Sequence, residues 1–115
     1  MKLPNGHLAL VEQDKITMYL LNPSHRCGCS KATFFNGFGF RVQEWETLAA
    51  ALREHGQRRD VTRVKDSGFG PRYEVDGELN APDGRRPRVR TVWQLDHGQA
   101  GPRLITAYPL EVGHD

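Results

Sequence analysis

The order of two hydrophobic patterns along the chain constrains its fold most strongly. Over residues 42–55, apolar side chains recur at the i, i+3 and i+4 spacing of an amphipathic helix, and Gly56 is predicted to end that helix in the left-handed conformation. After Gly56, apolar and polar residues alternate in short segments, which is typical of strands with one buried face. The predicted apolar stripe consists of Val42, Trp45, Leu48, Ala49 and Leu52.

Four strands are predicted in the second half of the chain, over residues 61–65, 72–75, 88–95 and 103–108. A bulge at Gly77 would let the second strand continue to Leu79. Short turns between strands favour an antiparallel meander, with the long helix covering one face. The sequence therefore predicts an α+β fold in which N-terminal helices pack on a four-stranded antiparallel β-sheet.

The first half is predicted to contain two shorter helices. Asp14 is a candidate N-cap for a helix over residues 15–21, and Ser30 is one for a brief helix over residues 31–36. Aromatic residues follow, and we expect them in the core together with the two tryptophans. These core candidates are Phe34, Phe35, Phe38, Phe40, Trp45 and Trp93. With no repeat and no long linker, residues 1–115 are expected to form a single α+β domain.

The charge is modest overall but unevenly distributed. The chain has 16 basic and 14 acidic residues, a net charge of +2. Residues 57–90 contain eight arginines and one lysine against six acids. Arginine suits bidentate contact with phosphate, although an arginine-rich strand is also compatible with a plain solvated sheet face. The basic half is thus a candidate anion-binding surface.

Composition also bounds the compartment in which the protein acts. Cys27 and Cys29 are separated by one residue, too close for an ordinary structural disulfide, and two thiols do not make a secreted scaffold. No run of 18 apolar residues occurs, and the first ten residues lack the organisation of a signal peptide. We therefore expect a cytoplasmic protein without membrane contact, delivered by other machinery if it reaches another cell.

The segment from His25 to Lys31 is the densest in reactive groups. A metal site would need more than His25, Cys27 and Cys29, because structural zinc sites use four ligands with wider cysteine spacing. A nucleophilic thiol would need a base and an orienting group. A polar loop with two small buried thiols is the plainer interpretation, and no metal or cofactor is expected. A third possible use of the segment is acid–base chemistry on RNA, with His25 as the base or the acid and Lys31 supplying positive charge.

Several stretches resemble an uncharacterised bacterial family that carries a domain-of-unknown-function label. They are residues 2–5, 20–25, 31–35, 39–40, 83–93 and 102–109, and together they span nearly the whole chain. The final strand, ending in Thr106-Ala107-Tyr108-Pro109 after a tryptophan-bearing strand, also resembles the barnase/EndoU/colicin/RelE-like toxin fold. Relatives often place a histidine before the Lys-Ala pair, where this chain has Ser30.

This resemblance implies a function and a set of site residues. The implied activity is that of a metal-independent endoribonuclease toxin, which cleaves RNA through its own 2′-hydroxyl and is neutralised by a cognate antitoxin or immunity protein; tRNA is one candidate target. The implied catalytic residues are His25, Lys31, Arg88, Arg90, Thr106 and Tyr108, and the expected RNA-binding residues are Arg72, Arg86 and Arg103. The alternative is a non-catalytic domain that binds protein or nucleic acid through the basic sheet face.

Overall fold

The computed structural model describes residues 1–26 and 29–110, except the side chain of Cys29. Its centre is a four-stranded antiparallel sheet in the order β1-β2-β3-β4, which confirms the predicted meander and the α+β class. Each strand begins and ends within three residues of its predicted bounds. The strands are β1 (Asp60–Asp66), β2 (Pro71–Glu78), β3 (Arg88–Gln94) and β4 (Arg103–Pro109).

The helices precede the sheet, as predicted, but their caps differ. They are α1 (Gln13–Lys15), which continues into a π-helical segment (Ile16–Leu20), α2 (Cys29–Gly37), and α3 (Trp45–Arg58), which follows a 3₁₀ turn (Val42–Glu44). A further 3₁₀ turn covers Gly6–Leu8. The capping predictions for Asp14 and Ser30 are wrong, because Glu12 occupies the first N-cap and α2 already begins at Cys29. Asp14 instead lies in the first turn, where the positive end of the helix dipole interacts favourably with its negative charge.

One hydrophobic core lies between the helices and one face of the sheet. Trp93, Phe35 and Phe40 are almost fully buried there, while Phe34, Phe38 and Trp45 are partly buried against it. The core prediction is thus confirmed for Phe35, Phe40 and Trp93, and in part for Phe34, Phe38 and Trp45. Val42 does not belong to the buried stripe, since it lies in the 3₁₀ turn and is 39% exposed.

Gly56 does not terminate α3, so that prediction is wrong. The helix continues to Arg58, and Gly56 is buried where the helix crosses the sheet. A Cβ atom at this position would lie 2.5 Å from Cζ2 of Trp93. The glycine is therefore required by the close approach of the indole ring, and not by a left-handed backbone.

His55, the residue before Gly56, is buried and makes hydrogen bonds that connect α3 to the sheet. Its Nε2 lies 3.1 Å from the carbonyl oxygens of both Gly77 and Val89, and its Nδ1 lies 2.9 Å from Oγ1 of Thr91. Carbonyls only accept, so Nε2 carries the proton and Nδ1 accepts from the Thr91 hydroxyl. Burial lowers the pKa of His55, against a smaller opposite effect of the carbonyl hydrogen bonds.

The sheet contains two irregularities, neither of them at the predicted position. Gly77 pairs with Val89 in unbroken register, so the predicted bulge there is wrong. The register instead shifts at Thr62 in β1 and at Ile105 in β4. The extra residue in β4 matters for the site, because Arg103 and Thr106 face the same side of the sheet although they are three residues apart.

The side of the sheet away from α3 is called the open face here. Directly opposed residues of antiparallel strands point to the same side, so the register defines this face in rows. The rows are Lys65, Arg72, Gln94 and Arg103; then Arg63, Glu74, Val92 and Thr106; then Asp60, Asp76, Arg90 and Tyr108; then Glu78 and Arg88.

No helix among residues 1–26 and 29–110 is long and apolar enough to span a membrane.

Candidate functional site

A cleft lies where the N-terminal helices meet the edge of β4. Residues before α1 run beside this strand, because Leu10 donates its N–H to Pro102 and accepts from the N–H of Leu104 at 2.8 and 2.9 Å. The chain then turns into α1 and the π-helical segment, which brings them against β4. The resulting cleft has a volume of about 480 Å³ and is lined by Lys15, Tyr19, His25, Ile105 and Thr106.

Tyr19 occupies the middle of this cleft. Its neighbours in the π-helical segment, Ile16 and Leu20, are fully buried and fix the helix against the core, which leaves the half-buried tyrosine directed to β4. The Tyr19 hydroxyl lies 3.1 Å from Oγ1 of Thr106, a distance at which either group can donate the hydrogen bond. The cleft thus holds two hydroxyl groups in contact.

An imidazole and two ammonium groups surround the Tyr19 ring. The His25 ring packs edge-on with a centroid separation of 5.0 Å. The Nζ atoms of Lys15 and Lys31 lie 5.2 and 5.4 Å from the centroid of the tyrosine ring, within the range of cation–π attraction. His25, Lys31 and Thr106, which are far apart in sequence, are therefore brought together around one side chain. Their catalytic assignment stays a prediction.

Arg90 and Tyr108 form a separate cluster on the open face. Arg90 makes a bidentate ion pair with Asp76 at 2.7 and 2.9 Å, and its Nη1 lies 3.4 Å from Oε1 of Glu74. The Glu74 oxygen is buried and makes this ion pair without a hydrogen bond among the described residues. Hydrogen bonds to Asp76 first and then to Tyr108 raise the pKa of Arg90. One guanidinium between two carboxylates carries no excess positive charge for a phosphate.

The other predicted arginines occupy different surroundings. Arg72 donates from Nε to Gln94 Oε1 at 3.1 Å, and Arg103 pairs through Nε with Asp96 at 2.7 Å, which raises the pKa of Arg103. Arg86 and Arg88 are exposed at the far end of the sheet, near the β2–β3 connection. The structure thus places Arg72 and Arg103 in one row of the open face and separates them from Arg86 and Arg88.

The structure does not describe Cys27, Gly28 or the side chain of Cys29. The predictions for the two thiols therefore lie outside the described residues. Among the residues that the structure does describe, no group of three or more His, Cys, Asp or Glu side chains is arranged to hold a metal ion. The described part of the loop contributes His25 to the cleft.

Two polar residues of the cleft, Tyr19 and Lys15, were missed by sequence reasoning, as was the apolar Ile105. Ile16, Tyr19 and Leu20 have the i, i+3, i+4 spacing of one helix face, and tyrosine fits an apolar face by its ring alone. The signal that could have identified it is the amphipathic character of tyrosine, whose hydroxyl needs a polar partner when it is half buried. Lys15 lies four residues before Tyr19, which is the spacing of neighbours on a helix face.

Comparison with known proteins gives a family and a fold. A family profile described as "Domain of unknown function (DUF6883)" matches residues 2–111. No curated protein matches the sequence. Among solved structures, the chain is similar to a chain of the "Contact-dependent growth inhibition toxin - immunity protein complex from Klebsiella pneumoniae 342", with a TM-score of 0.69 and 12% identity. That match covers 94% of this chain and 98% of the other, so the two share a fold over nearly their full lengths.

Proposed function

The chain belongs to the DUF6883 family of unknown function, and we propose that it is a toxin domain that cleaves RNA without a metal ion and is neutralised by a cognate immunity protein. The fold shared with a chain of a toxin–immunity protein complex supports the toxin part of this proposal. The cleft around Tyr19 supports the chemistry. At 12% identity the structural similarity shows only a shared fold, so the evidence for the activity comes from the residues of the cleft.

The single observation that carries the proposal is the composition of that cleft. Cleavage through the 2′-hydroxyl needs a base for that hydroxyl, a proton donor for the leaving 5′-oxygen, and positive charge near the phosphate. The imidazole of His25, the hydrogen-bonded hydroxyls of Tyr19 and Thr106, and the ammonium groups of Lys15 and Lys31 meet around one ring. Those groups supply all three requirements.

The proposed reaction proceeds in one displacement at phosphorus. His25 takes the proton of the 2′-hydroxyl as that oxygen bonds to phosphorus, and the bond from phosphorus to the 5′-oxygen breaks. Tyr19, which Thr106 holds by the 3.1 Å hydrogen bond, donates a proton to the departing oxygen. Lys15 and Lys31 stabilise the extra negative charge on the phosphoryl oxygens. The products are a 2′,3′-cyclic phosphate and a 5′-hydroxyl, and proton exchange with water restores both residues.

Arg90 has an indirect role in this proposal. Its charge is matched by Asp76 and Glu74, and it hydrogen-bonds Tyr108, which lies two residues after Thr106 on the same face. Arg90 therefore holds Tyr108 and the end of β4 in place and does not bind the phosphate. Ser30, where relatives often have a histidine, does not remove the cleft, because His25 supplies an imidazole from the preceding loop.

The proposal is tested by cleavage of a single-stranded oligoribonucleotide in excess EDTA. We expect cleavage products with 2′,3′-cyclic phosphate ends, identified by mass spectrometry. The matched control substrate carries a 2′-deoxy sugar at the cleaved position and should stay intact, because the attacking oxygen is missing. Cleavage that requires divalent cations, or that persists on the deoxy substrate, would contradict the mechanism.

The toxin and partner parts of the proposal need a separate test in cells. Induced expression of the chain should stop bacterial growth, and co-expression of the product of the adjacent gene should restore it. RNA binding without cleavage and without growth arrest would instead favour the alternative of a non-catalytic binding domain on the basic sheet face.

A further inference from the structure

The turn between β1 and β2 exposes a large aromatic side chain on a well-braced backbone. Phe69 is 75% exposed, more than any other large apolar residue among those that the structure describes. Its carbonyl accepts the N–H of His97 at 2.9 Å, and the Ser67 hydroxyl donates to the Gly70 carbonyl at 2.6 Å. The hydrogen-bonded turn thus presents an apolar ring to water.

Gly70 and Gln94 brace the same turn from below. Gly70 has a φ of +137°, and a Cβ atom there would lie 2.0 Å from the carbonyl oxygen of Leu95. Gln94 is buried and donates from Nε2 to Ser67 Oγ and to the Gly70 carbonyl, both at 3.0 Å. The backbone that carries Phe69 is therefore fixed on the sheet, and binding a ligand would cost little ordering of the turn.

A row of cations crosses the open face directly beside this turn. Lys65 is opposed to Arg72, Arg72 to Gln94, and Gln94 to Arg103, so the row touches all four strands. With a strand spacing of about 4.8 Å it spans about 14 Å. Arg103 pairs with Asp96 and also interacts with the charge of Glu12, and Asp66 accepts the N–H of Gly68 beside Lys65. Neither Lys65 nor Arg72 forms an ion pair among the described residues, so the positive charge of the row is concentrated on its β1–β2 side, next to the turn.

This row leads to the cleft. The bulge at Ile105 puts Arg103 and Thr106 on the same face of β4, and Thr106 is the residue that contacts Tyr19. The neighbouring cluster of Arg90 with Asp76 and Glu74 has one cation and two carboxylates, so its guanidinium is a poorer phosphate ligand than Lys65 or Arg72. The row is therefore the better path for a nucleic-acid strand that reaches the cleft.

We propose that this row and Phe69 form the docking track for the single RNA strand that flanks the cleaved position. This inference rests on the proposed function and names the surface through which that function recognises its substrate. Lys65, Arg72 and Arg103 contact phosphates, and the Phe69 ring stacks on a base, an arrangement that binds single strands with little sequence preference. Arg72 and Arg103 were predicted RNA contacts, while Lys65 and Phe69 are identified by the structure.

The test measures binding of a 5′-fluorescein oligoribonucleotide of about ten nucleotides by fluorescence anisotropy in EDTA. We expect Phe69→Ala to weaken binding about tenfold, because one stacking contact is lost. Lys65→Gln should reduce the slope of log affinity against log salt by about 0.7, the value for one phosphate contact on a single strand. Val64→Ala is the matched control: Val64 is 49% exposed in the same hairpin but faces the other side of the sheet.

Cleavage rates separate this inference from the proposed function. Phe69→Ala should lower kcat/KM for the long oligonucleotide and leave cleavage of a dinucleotide, which cannot reach the turn, unchanged. If the wild-type protein binds RNA in this pattern but cleaves none, the track stands and the proposed reaction fails. If Phe69→Ala and Lys65→Gln bind RNA as the wild type does, the track is wrong. Loss of immunity-protein binding in Phe69→Ala, with RNA binding intact, would likewise overturn it in favour of a protein interface.

Discussion

Replacement of Gly56 by alanine tests the contact on which α3 docks against the sheet. At an ordinary helix position this change stabilises by about 1 kcal/mol, because alanine favours the helix. At Gly56 the added methyl group would lie 2.5, 2.7 and 2.9 Å from Cζ2, Cε2 and Nε1 of Trp93. Either the indole or the helix must move, and the indole is fully buried.

The expected magnitude follows from two costs and one gain. Overpacking of a dense core typically costs about 1–3 kcal/mol. Displacement of the indole would also weaken the hydrogen bond from Trp93 Nε1 to Thr91 Oγ1, now 2.8 Å, worth about 1 kcal/mol. Against these stands the helix-propensity gain of about 1 kcal/mol. We therefore expect Gly56→Ala to lower the free energy of unfolding by about 1–3 kcal/mol.

Thermal unfolding followed by circular dichroism measures this effect. A loss of about 1–3 kcal/mol corresponds to a fall in Tm of about 4–12 °C for a domain of this size. Gly37→Ala is the matched control, because Gly37 is the last residue of α2 and a Cβ atom there would have nothing within 4 Å. Its Tm should stay unchanged or rise. A Tm for Gly56→Ala that rises as the control does would refute the docking of Trp93 against this glycine.

Three further perturbations have defined outcomes. Because the pKa of His55 is lowered in the folded protein, the unfolded chain binds more protons at acidic pH. The free energy of unfolding should therefore be at its full value above about pH 6.5 and fall as the pH drops below it. Urea unfolding should show this loss in the wild type and a smaller loss in His55→Gln. Trp45→Ala should destabilise by about 2–3 kcal/mol, less than a fully buried tryptophan would, and an unchanged Tm would show that the ring does not pack on the core. Arg90→Gln should destabilise by about 1–2 kcal/mol because the Glu74 and Asp76 carboxylates lose their partner, and adding Glu74→Gln should restore part of it; no recovery in the double variant would contradict the ion-pair account.

The sheet was predictable because its signals are local. The alternation in residues 88–94 and the turn residues between segments depend on near neighbours in sequence, and they led to the correct strand order. The role of Gly56 was not predictable in the same way. A glycine at the end of an apolar helix pattern usually terminates it, and only the approach of Trp93, 37 residues later, shows that this one is needed for packing.

The candidate site was predictable by residue type and not by arrangement. His25, Lys31 and Thr106 could be named, but their meeting around Tyr19 depends on how Leu10 pairs beside β4 and on the bulge at Ile105. Neither feature has a sequence signature. The pairing of Arg90 with Asp76 depends on strand register, which is why the sequence alone suggested a cation available for phosphate.

RNA cleavage by the cleft around Tyr19 is tested most directly by comparing two histidine variants with the wild type. The kcat/KM for a single-stranded oligoribonucleotide is measured in EDTA for the wild type, His25→Ala and His97→Ala, with folding of each variant checked by circular dichroism. His97 is an exposed histidine outside the cleft and serves as the control. We expect His25→Ala to lose about a hundredfold or more in kcat/KM, as removal of an acid–base group typically does, while His97→Ala keeps the wild-type value. Equal activity of the folded His25→Ala variant and the wild type would contradict the account.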